Sequence, residues 1–451
     1  MVGRKSSPLI PKKKKTALKG RGTPRPKKTP VYEEDEEITE RSSGKKKEKK
    51  PAKRRSIQPS APQQQLSTED KKQIRRRRQR RRTALRIVAL VLAIAVAVVV
   101  WLHWNVLAPD KLWARFQDMV GGGTGSFPVD LSGSDARRLV QVDNYTVVLT
   151  DSHLTYYNDS GAEVFRTTCT YAEPLVHTAD KYVLVAEQGA RRLQLSTRSK
   201  VVLEKEVEHR IRSVSLNQKG QFAVLTDGPQ GYAVQITVYD KNGKTIYTRN
   251  SNRTVTDVAL SFDGTTVSAV SVEAVDGTLN TRLEVFELTA ATPDAKCVHQ
   301  VKDMLLYRAA YLSDGTLVAV GEQSVVLMNT ADGGVSEYAP EGKHVLGYAV
   351  GGDTVALALR SYGATAGGET VVLSADGAAR CHLDFDGEFR HLSGCDGRYA
   401  LLTDSRVQAF TADGGVGAAS VLGDGRQAVY TEQRFVVMGL NRLEAFSVEG
   451  A

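Results

Sequence analysis

The sequence predicts an all-β fold, an eight-bladed β-propeller, carried behind a basic tail and one membrane-spanning helix. Three observations predict it. From residue 126 onward, short β-rich units separated by Asp-Gly, Asn-Gly and similar turns follow one another to the end of the chain. An unbroken apolar run, Ile87 to Leu102, precedes them. Charge is also divided unevenly: residues 1–86 hold 30 Lys and Arg against 9 Asp and Glu, whereas residues 87–451 hold 31 against 42. The formal net charge of +10 therefore describes neither part.

Residues 1–82 contain "PKKKKTALKGRGTPRPKKTP", "GKKKEKKPAKRR" and "APQQQ" and few large apolar side chains. Such a segment cannot bury enough surface to offset chain entropy, which predicts a disordered basic cytoplasmic tail. The acidic patch Glu33–Glu37 reads as a solvated charge run.

Residues 84–108 are the predicted transmembrane helix. Only His103 and Asn105 interrupt the apolar character between Ile87 and Ala108, and about 20 residues match a hydrocarbon core of about 30 Å. A cleaved signal peptide would sit nearer the N-terminus and end in small residues, but 86 residues precede Ile87 and "WLHWNVLAPDK" is bulky. Arg75, Arg76, Arg77, Arg78, Arg80, Arg81, Arg82 and Arg86 stand on the N-terminal side of the span. The positive-inside rule then puts the N-terminus in the cytoplasm and the C-terminal domain outside a plasma membrane crossed once. These arginines fix topology and contact anionic lipid, at about 1 kcal/mol each near the surface. Trp101 and Trp104 fit the outer membrane interface. Nucleic acid is the less favoured partner, because no aromatic residues are interleaved among the arginines. Residues 109–125 follow as a juxtamembrane helix and glycine-rich linker, with Leu112, Trp113, Phe116, Met119 and Val120 on one side and "GGG" at 121–123 as the stop.

The extracytoplasmic domain, residues 126–451, shows its period best in "AAYLSDGTLVAVGEQSVVLMNTADGGVSEYA". This reads as four strands, the first two joined at Asp314-Gly315 by a two-residue hairpin that needs positive φ. Equivalent first turns fall near Asp143, Asp180, Lys219, Asp263, Asp314, Asp353, Asp396 and Gln433, separated by 37, 39, 44, 51, 39, 43 and 37 residues. Four short strands at that spacing are the signature of a propeller. Eight units give eight blades, or seven if two are misread. The last unit holds about three strands, so "SFPVDL" before the first unit is expected to supply the fourth and close the ring.

The units with "SFDG" and "LSDG" resemble WD40-, TolB- and PQQ-like propeller repeats, although the Trp-Asp dipeptide and the quinoprotein tryptophan motif are absent. The order of basic N-terminus, single span, "GGGTGSFPVDLSGSD" linker and repeats beginning "VDNYTVVLTDSHLTYYNDSG" is similar to a domain-of-unknown-function family of membrane-anchored propellers from Gram-positive bacteria. The similarity covers roughly residues 84–451 and implies an architecture but no established activity, cofactor or functional residue.

The densest polar cluster, "CHLDFDGEFRHLSGCDG", gathers Cys381, His382, Asp384, Asp386, Glu388, His391 and Cys395. Alternating strand residues point to opposite faces, so these groups need not converge, and the segment reads as an outer strand and a turn between blades. Ser261-Phe262-Asp263-Gly264 resembles a sialidase Asp box only superficially, since the Gly-x-Thr-Trp continuation is missing. No G-x-S-x-G, Walker A or H-E-x-x-H occurs. Cys169, Cys297, Cys381 and Cys395 are too scattered for a disulfide framework and are expected as buried thiols. No catalytic or metal-binding residue and no cofactor is nominated, and the ligand-binding residues stay unidentified. The functional expectation is a binding scaffold or sensor at the cell envelope, in contact with membrane lipid and with an envelope protein or glycan. The alternative is an extracellular wall-polymer hydrolase or lyase that draws acidic residues from several blades into the channel.

Overall fold

The computed structural model describes residues 125–289, 294–421, 423–431 and 434–450. The predicted tail and span, with the arginines from Arg75 to Arg86 and with Trp101 and Trp104, lie outside the described residues, as does the juxtamembrane segment 109–124. No helix among the described residues is long and apolar enough to cross a membrane.

The described chain forms eight antiparallel sheets arranged as an eight-bladed propeller. Blades 1 to 8 begin with Ala136–Val142, Pro174–Ala179, Ile211–Leu216, Thr254–Leu260, Leu306–Tyr311, Lys343–Gly351, Phe389–Cys395 and Gln427–Tyr430. These first strands lie innermost and contact one another around the ring. Where blades 5 and 6 meet, Ser313 N donates to Gly352 O at 2.8 Å.

The second strand of each blade explains why the sheets stack. "YTVVLT", "YVLVAE" and "TLVAVG" are buried along their whole length, so they read as continuous runs of apolar and small residues rather than as alternating ones. Alternation survives on outer strands such as Lys200–Glu206 and Thr245–Ser251, which have one face in water. Each pair of neighbouring blades traps one hydrophobic cluster, eight in all around the ring. At three of these seams a buried tyrosine hydroxyl finds a partner on the next blade: Tyr156 with Ser196 (2.8 Å), Tyr311 with Ser268 (2.5 Å) and Tyr399 with Thr354 (2.8 Å).

Closure follows the expectation. Val129–Asp130, within "SFPVDL", pairs with the third strand of blade 8, Val129 opposite Leu443 and Asp130 opposite Arg442. Blade 8 therefore takes strands from both ends of the domain, and its short outermost strand covers the third strand at Arg442 and Leu443. The final residues do one thing the repeat pattern does not show: Glu449–Gly450 adds a fifth strand to blade 7, along Gly414–Ser420.

The turn chemistry needs correction. Asp314-Gly315 is not a two-residue hairpin, because residues 312–315 all lie between the strands, and only Gly315 has positive φ. The Asp314 carboxylate holds the loop by accepting from Thr316 N at 2.9 Å, so a side chain does what two left-handed residues would do in a tighter turn. Ser261 and Asp263 cap their loop in the same way, accepting from Thr265 N at 3.2 and 3.0 Å. That is the structural use of "SFDG". Two-residue turns do occur at Asp276-Gly277 and Asp396-Gly397, with positive φ at both residues.

None of the four cysteines is in a disulfide. Cys381 lies on the outermost strand of blade 6 and Cys395 on the innermost strand of blade 7. Cys169 and Cys381 are buried as expected, whereas Cys297 and Cys395 are only half-buried.

Candidate functional site

A propeller has two unlike faces. On one, the turn face, lie the loops joining first to second and third to fourth strands. On the other, the connector face, lie the hairpins joining second to third strands and the segments that lead from blade to blade. The described chain begins at the turn face, where Gly125 packs against the Gly161-Ala162 turn of blade 1.

Most of the large exposed apolar side chains lie at the connector face; Ile246, Val298 and Val335 are on outer strands instead. Tyr232, Tyr362 and Leu440 sit in hairpin loops of blades 3, 6 and 8, and Val275 and Leu279 flank the hairpin turn of blade 4. Leu305 lies in the connector between blades 4 and 5, one residue before that blade's innermost strand. Met304 N donates to the Leu279 carbonyl at 3.1 Å, which brings Leu279 beside Leu305. The blade 4 hairpin strands, Thr266–Val275 and Thr278–Glu287, are ten residues each, longer than the second and third strands of the other blades. The hairpin therefore projects beyond its neighbours by about 10 Å. This hairpin, together with the nine-residue segment 288–296 that follows it, accounts for the 51-residue separation between Asp263 and Asp314.

At the centre of that face the innermost strands share a device. In six blades the pairing of first with second strand slips by one residue near the start of the strand, leaving Arg137, Arg212, Thr256, Tyr307, Leu346 and Arg390 unpaired. Such a β-bulge turns two successive side chains away from the ordinary alternation and is a recurrent means of aiming them. None of the six is buried. The bulges thus ring the mouth of the channel on the connector face.

The charge of the channel lining is the reverse of its surroundings. Residues 125–451 hold 40 Asp and Glu against 29 Lys and Arg. The innermost strands, however, carry Arg137, Arg138, Arg212, Arg308, Lys343 and Arg390, three histidines, and a single carboxylate, Asp257. Four of the cations have partners. Arg137 donates to the Tyr171 and Ala172 carbonyls, both at 2.7 Å. Arg212 pairs with Asp227 at 2.7 Å, Lys343 with Glu369 at 2.8 Å and Arg390 with Glu388 at 3.0 Å. Arg138 makes one long bond, to the Arg137 carbonyl at 3.2 Å, and among the described residues Arg308 has neither a hydrogen bond nor an ion pair.

Asp257 does not neutralise them directly. Only 5% exposed, it accepts from Ser213 Oγ on blade 3 and from Ala309 N on blade 5, the latter at 2.9 Å. It acts first as a tie across three blades. His177, on blade 2, opens to the channel and is held below the usual histidine range by desolvation there and by Arg308, against the attraction of Asp257. On blade 7, burial depresses His391 to about 4, with Arg138 acting in the same direction and the Ala428 carbonyl opposing it. Its Nδ1 lies 3.2 Å from that carbonyl. Burial, helped by Asp257, raises the Tyr348 phenol to about 12 although Arg308 opposes the shift. At neutral pH the channel therefore presents two guanidinium groups without anionic partners, those of Arg138 and Arg308, beside the neutral imidazoles of His177 and His391 and the neutral phenol of Tyr348.

Of the polar cluster in "CHLDFDGEFRHLSGCDG", only His391, Cys395 and their strand reach the innermost layer. Cys381, His382 and Asp384 stay on an outer strand, as the sequence suggests. No group of His, Cys, Asp and Glu able to hold a metal ion occurs among the described residues. The residues that sequence reasoning missed are Arg138, His177, Arg308 and Tyr348. One signal was present: aligned on their first turns, Arg137-Arg138, Arg212, Arg308 and Arg390-His391 all fall five to seven residues ahead of the turn. Two cavities of about 220 and 290 Å³ lie away from the channel, along the seam of blades 2 and 3, lined by groups such as His209, Thr226 and Gln235 in one and Arg191, Glu206 and Arg210 in the other.

Fold and face together define an eight-bladed β-propeller with a bulge-ringed, arginine-bearing channel. The chain belongs to the family of unknown function DUF5711, which it matches over residues 128–446. No curated protein matches it significantly in sequence. Solved structures of similar fold include BamB from Moraxella catarrhalis, at 13% identity and a TM-score of 0.43, covering 71% of this chain and 100% of that one. The WD40 domain of Pan2 from Neurospora crassa, at 10% identity and a TM-score of 0.41, covers 69% of this chain and 89% of its own. A eukaryotic initiation factor, at 8% identity and a TM-score of 0.49, covers 73% and 89%. At such identities the likeness is one of fold alone.

Proposed function

We propose that this protein is a membrane-anchored scaffold whose propeller holds a partner protein of the cell envelope on its connector face. The carrying observation is the distribution of exposed apolar side chains: Tyr232, Val275, Leu279, Leu305, Tyr362 and Leu440 belong to that face, whereas Ile246, Val298 and Val335 stand singly on the outer strands of three blades. Exposed apolar groups gathered on one surface mark contact sites, whereas singly scattered ones need no explanation. The described chain begins at the opposite face, at Gly125. The basic run and apolar stretch before it support the anchor, with the basic tail in the cytoplasm and lipid contact by the arginines from Arg75 to Arg86.

The polymer-cleaving alternative asks for at least two carboxylates in the channel, and the innermost strands supply one, already engaged by Ser213 and Ala309. Partner binding therefore fits better. The test is crosslinking in intact cells from probes on each face, compared with a Leu305→Asp, Tyr362→Ser double variant. We expect connector-face crosslinks to one recurrent protein, reduced at least tenfold in the variant. Crosslinks that are unchanged by the variant, or that arise only from the turn face, would overturn the reading.

A further inference from the structure

We propose that the central channel binds a small multivalent oxyanion, an oligophosphate or a polycarboxylate, between the guanidinium groups of Arg138 and Arg308. This holds whether or not the connector face takes a partner, since it stands on separate residues.

Two cations of the channel, Arg138 and Arg308, have no anionic partner among the described residues. An acidic domain offers arginine many possible partners, and Arg137, Arg212, Lys343 and Arg390 have each taken a carboxylate or carbonyl nearby. Arg138 and Arg308 have taken no carboxylate, although both belong to strands that line the channel. A guanidinium presents a planar fork of donors suited to carboxylate and phosphate oxygens. Holding two such forks without anionic partners serves recognition rather than stability.

Topology adds the requirement for more than one charge. Arg138 is on blade 1 and Arg308 on blade 5, so in a ring of eight they stand on opposite walls. A ligand that satisfies both needs anionic groups at both ends. The innermost strands themselves supply one carboxylate, Asp257, whose oxygens are engaged by Ser213 and Ala309. His177, His391 and Tyr348 add neutral hydrogen-bonding groups to the same lining. Against the acidic exterior, a positive patch inside a low-dielectric passage focuses the field on anions that enter it.

The test uses full-length protein with tripolyphosphate or citrate as probe, at low ionic strength matched with NaCl. The basic tail will also bind such anions, so total binding is the wrong readout. Thermal unfolding of the propeller, followed by its tyrosine circular dichroism, is the right one, because a ligand on the tail contributes equally to folded and unfolded propeller. Trp101, Trp104 and Trp113 all precede the domain, which leaves tyrosine as its aromatic signal. We expect a rise in Tm of roughly 5 °C at saturating probe. The rise should vanish in Arg138→Ala and in Arg308→Ala and persist in Arg166→Ala, an exposed arginine of an outer strand paired with Glu163. Whichever probe produces the rise identifies the chemistry as phosphate or carboxylate. The proposal is overturned if neither probe moves Tm, or if either channel variant retains the full shift.

Discussion

Tyr182–Glu187, the second strand of blade 2, is buried along its whole length, while Pro174–Ala179, hydrogen-bonded beside it, leaves His177 and Thr178 open to the channel. The same contrast recurs around the ring. Second strands hold the blades together through eight apolar seams, and innermost strands carry the bulges, the two arginines without anionic partners and the depressed histidines. Two strands joined by one ladder are thus under different constraints. One must match its neighbours in volume, and the other must only keep its backbone pairing while its side chains vary.

The largest effect that can break this comparison is on stability. Phe222 is fully buried at the seam of blades 2 and 3, packed with Leu184, Leu195 and Tyr239. Phe222→Ala should cost about 3 to 5 kcal/mol, the lost transfer energy plus the cavity left behind. Arg308→Ala, at an exposed position without a partner, should stay within about 0.5 kcal/mol. Denaturant midpoints of the two variants measure the difference. Comparable losses would mean that the channel lining is structural after all.

The seams were the part legible in the sequence. Asp-Gly and related turns mark the first turn of nearly every blade because a tight reversal demands residues that tolerate positive φ or cap a loop, and such residues stand out in any chain. Eight turns gave eight blades, and the incomplete last unit pointed to Val129–Asp130 as the closing strand. The channel was less legible. A bulge depends on which residues pair across the ladder, and Arg137-Arg138 reads identically with or without one. Convergence of His177, Asp257 and Arg308 is likewise a property of ring closure, since they come from blades 2, 4 and 5. No local motif can report it. The fifth strand of blade 7 was hidden for a similar reason: Glu449–Gly450 is too short to show a pattern, and its partner "GGVGAAS" is small and featureless.

A sharper form of the comparison is pH dependence. His391 titrates at about 4 in the folded protein because burial disfavours its charged form, against about 6.5 in an unfolded chain. Above pH 6.5 both states hold a neutral imidazole and the group contributes nothing. As pH falls from 6.5 toward 4, the unfolded chain gains a proton that the folded protein refuses, so stability is lost, by at most about 3 kcal/mol. Below 4 both states are protonated and the loss stops growing. Replacing His391 with Gln removes this dependence while His177 and the carboxylates remain. The stability gap between wild type and His391→Gln should therefore narrow on acidification from pH 7 to 4.5. A constant gap would show that the ring is solvated, and that innermost strands do not shelter their side chains as seams do.

The smallest effect concerns the place where a seam takes on a polar group. Tyr399 is fully buried between blades 6 and 7, stacked on Phe410 at 5.3 Å, and its hydroxyl meets Thr354 Oγ1 at 2.8 Å. Burial pushes the phenol up to about 12, so it is neutral at any ordinary pH and the bond is one between two hydroxyls. Tyr399→Phe keeps the ring and its stacking and removes only the oxygen. Thr354 Oγ1 also lies 3.2 Å from the Gly351 carbonyl, to which it can still donate, so it is not left wholly unsatisfied. The expected cost is about 1 kcal/mol, the net worth of one buried hydrogen bond. Tyr156→Phe, which parts the hydroxyl from Ser196 at the seam of blades 1 and 2, offers an independent repeat. If both variants lose about 1 kcal/mol with an unchanged denaturant slope, the tyrosines act as local ties across otherwise apolar seams. A loss of about 3 kcal/mol or more would instead put them on the scale of Phe222→Ala, making the hydroxyl pairs as important to blade stacking as the apolar contacts around them.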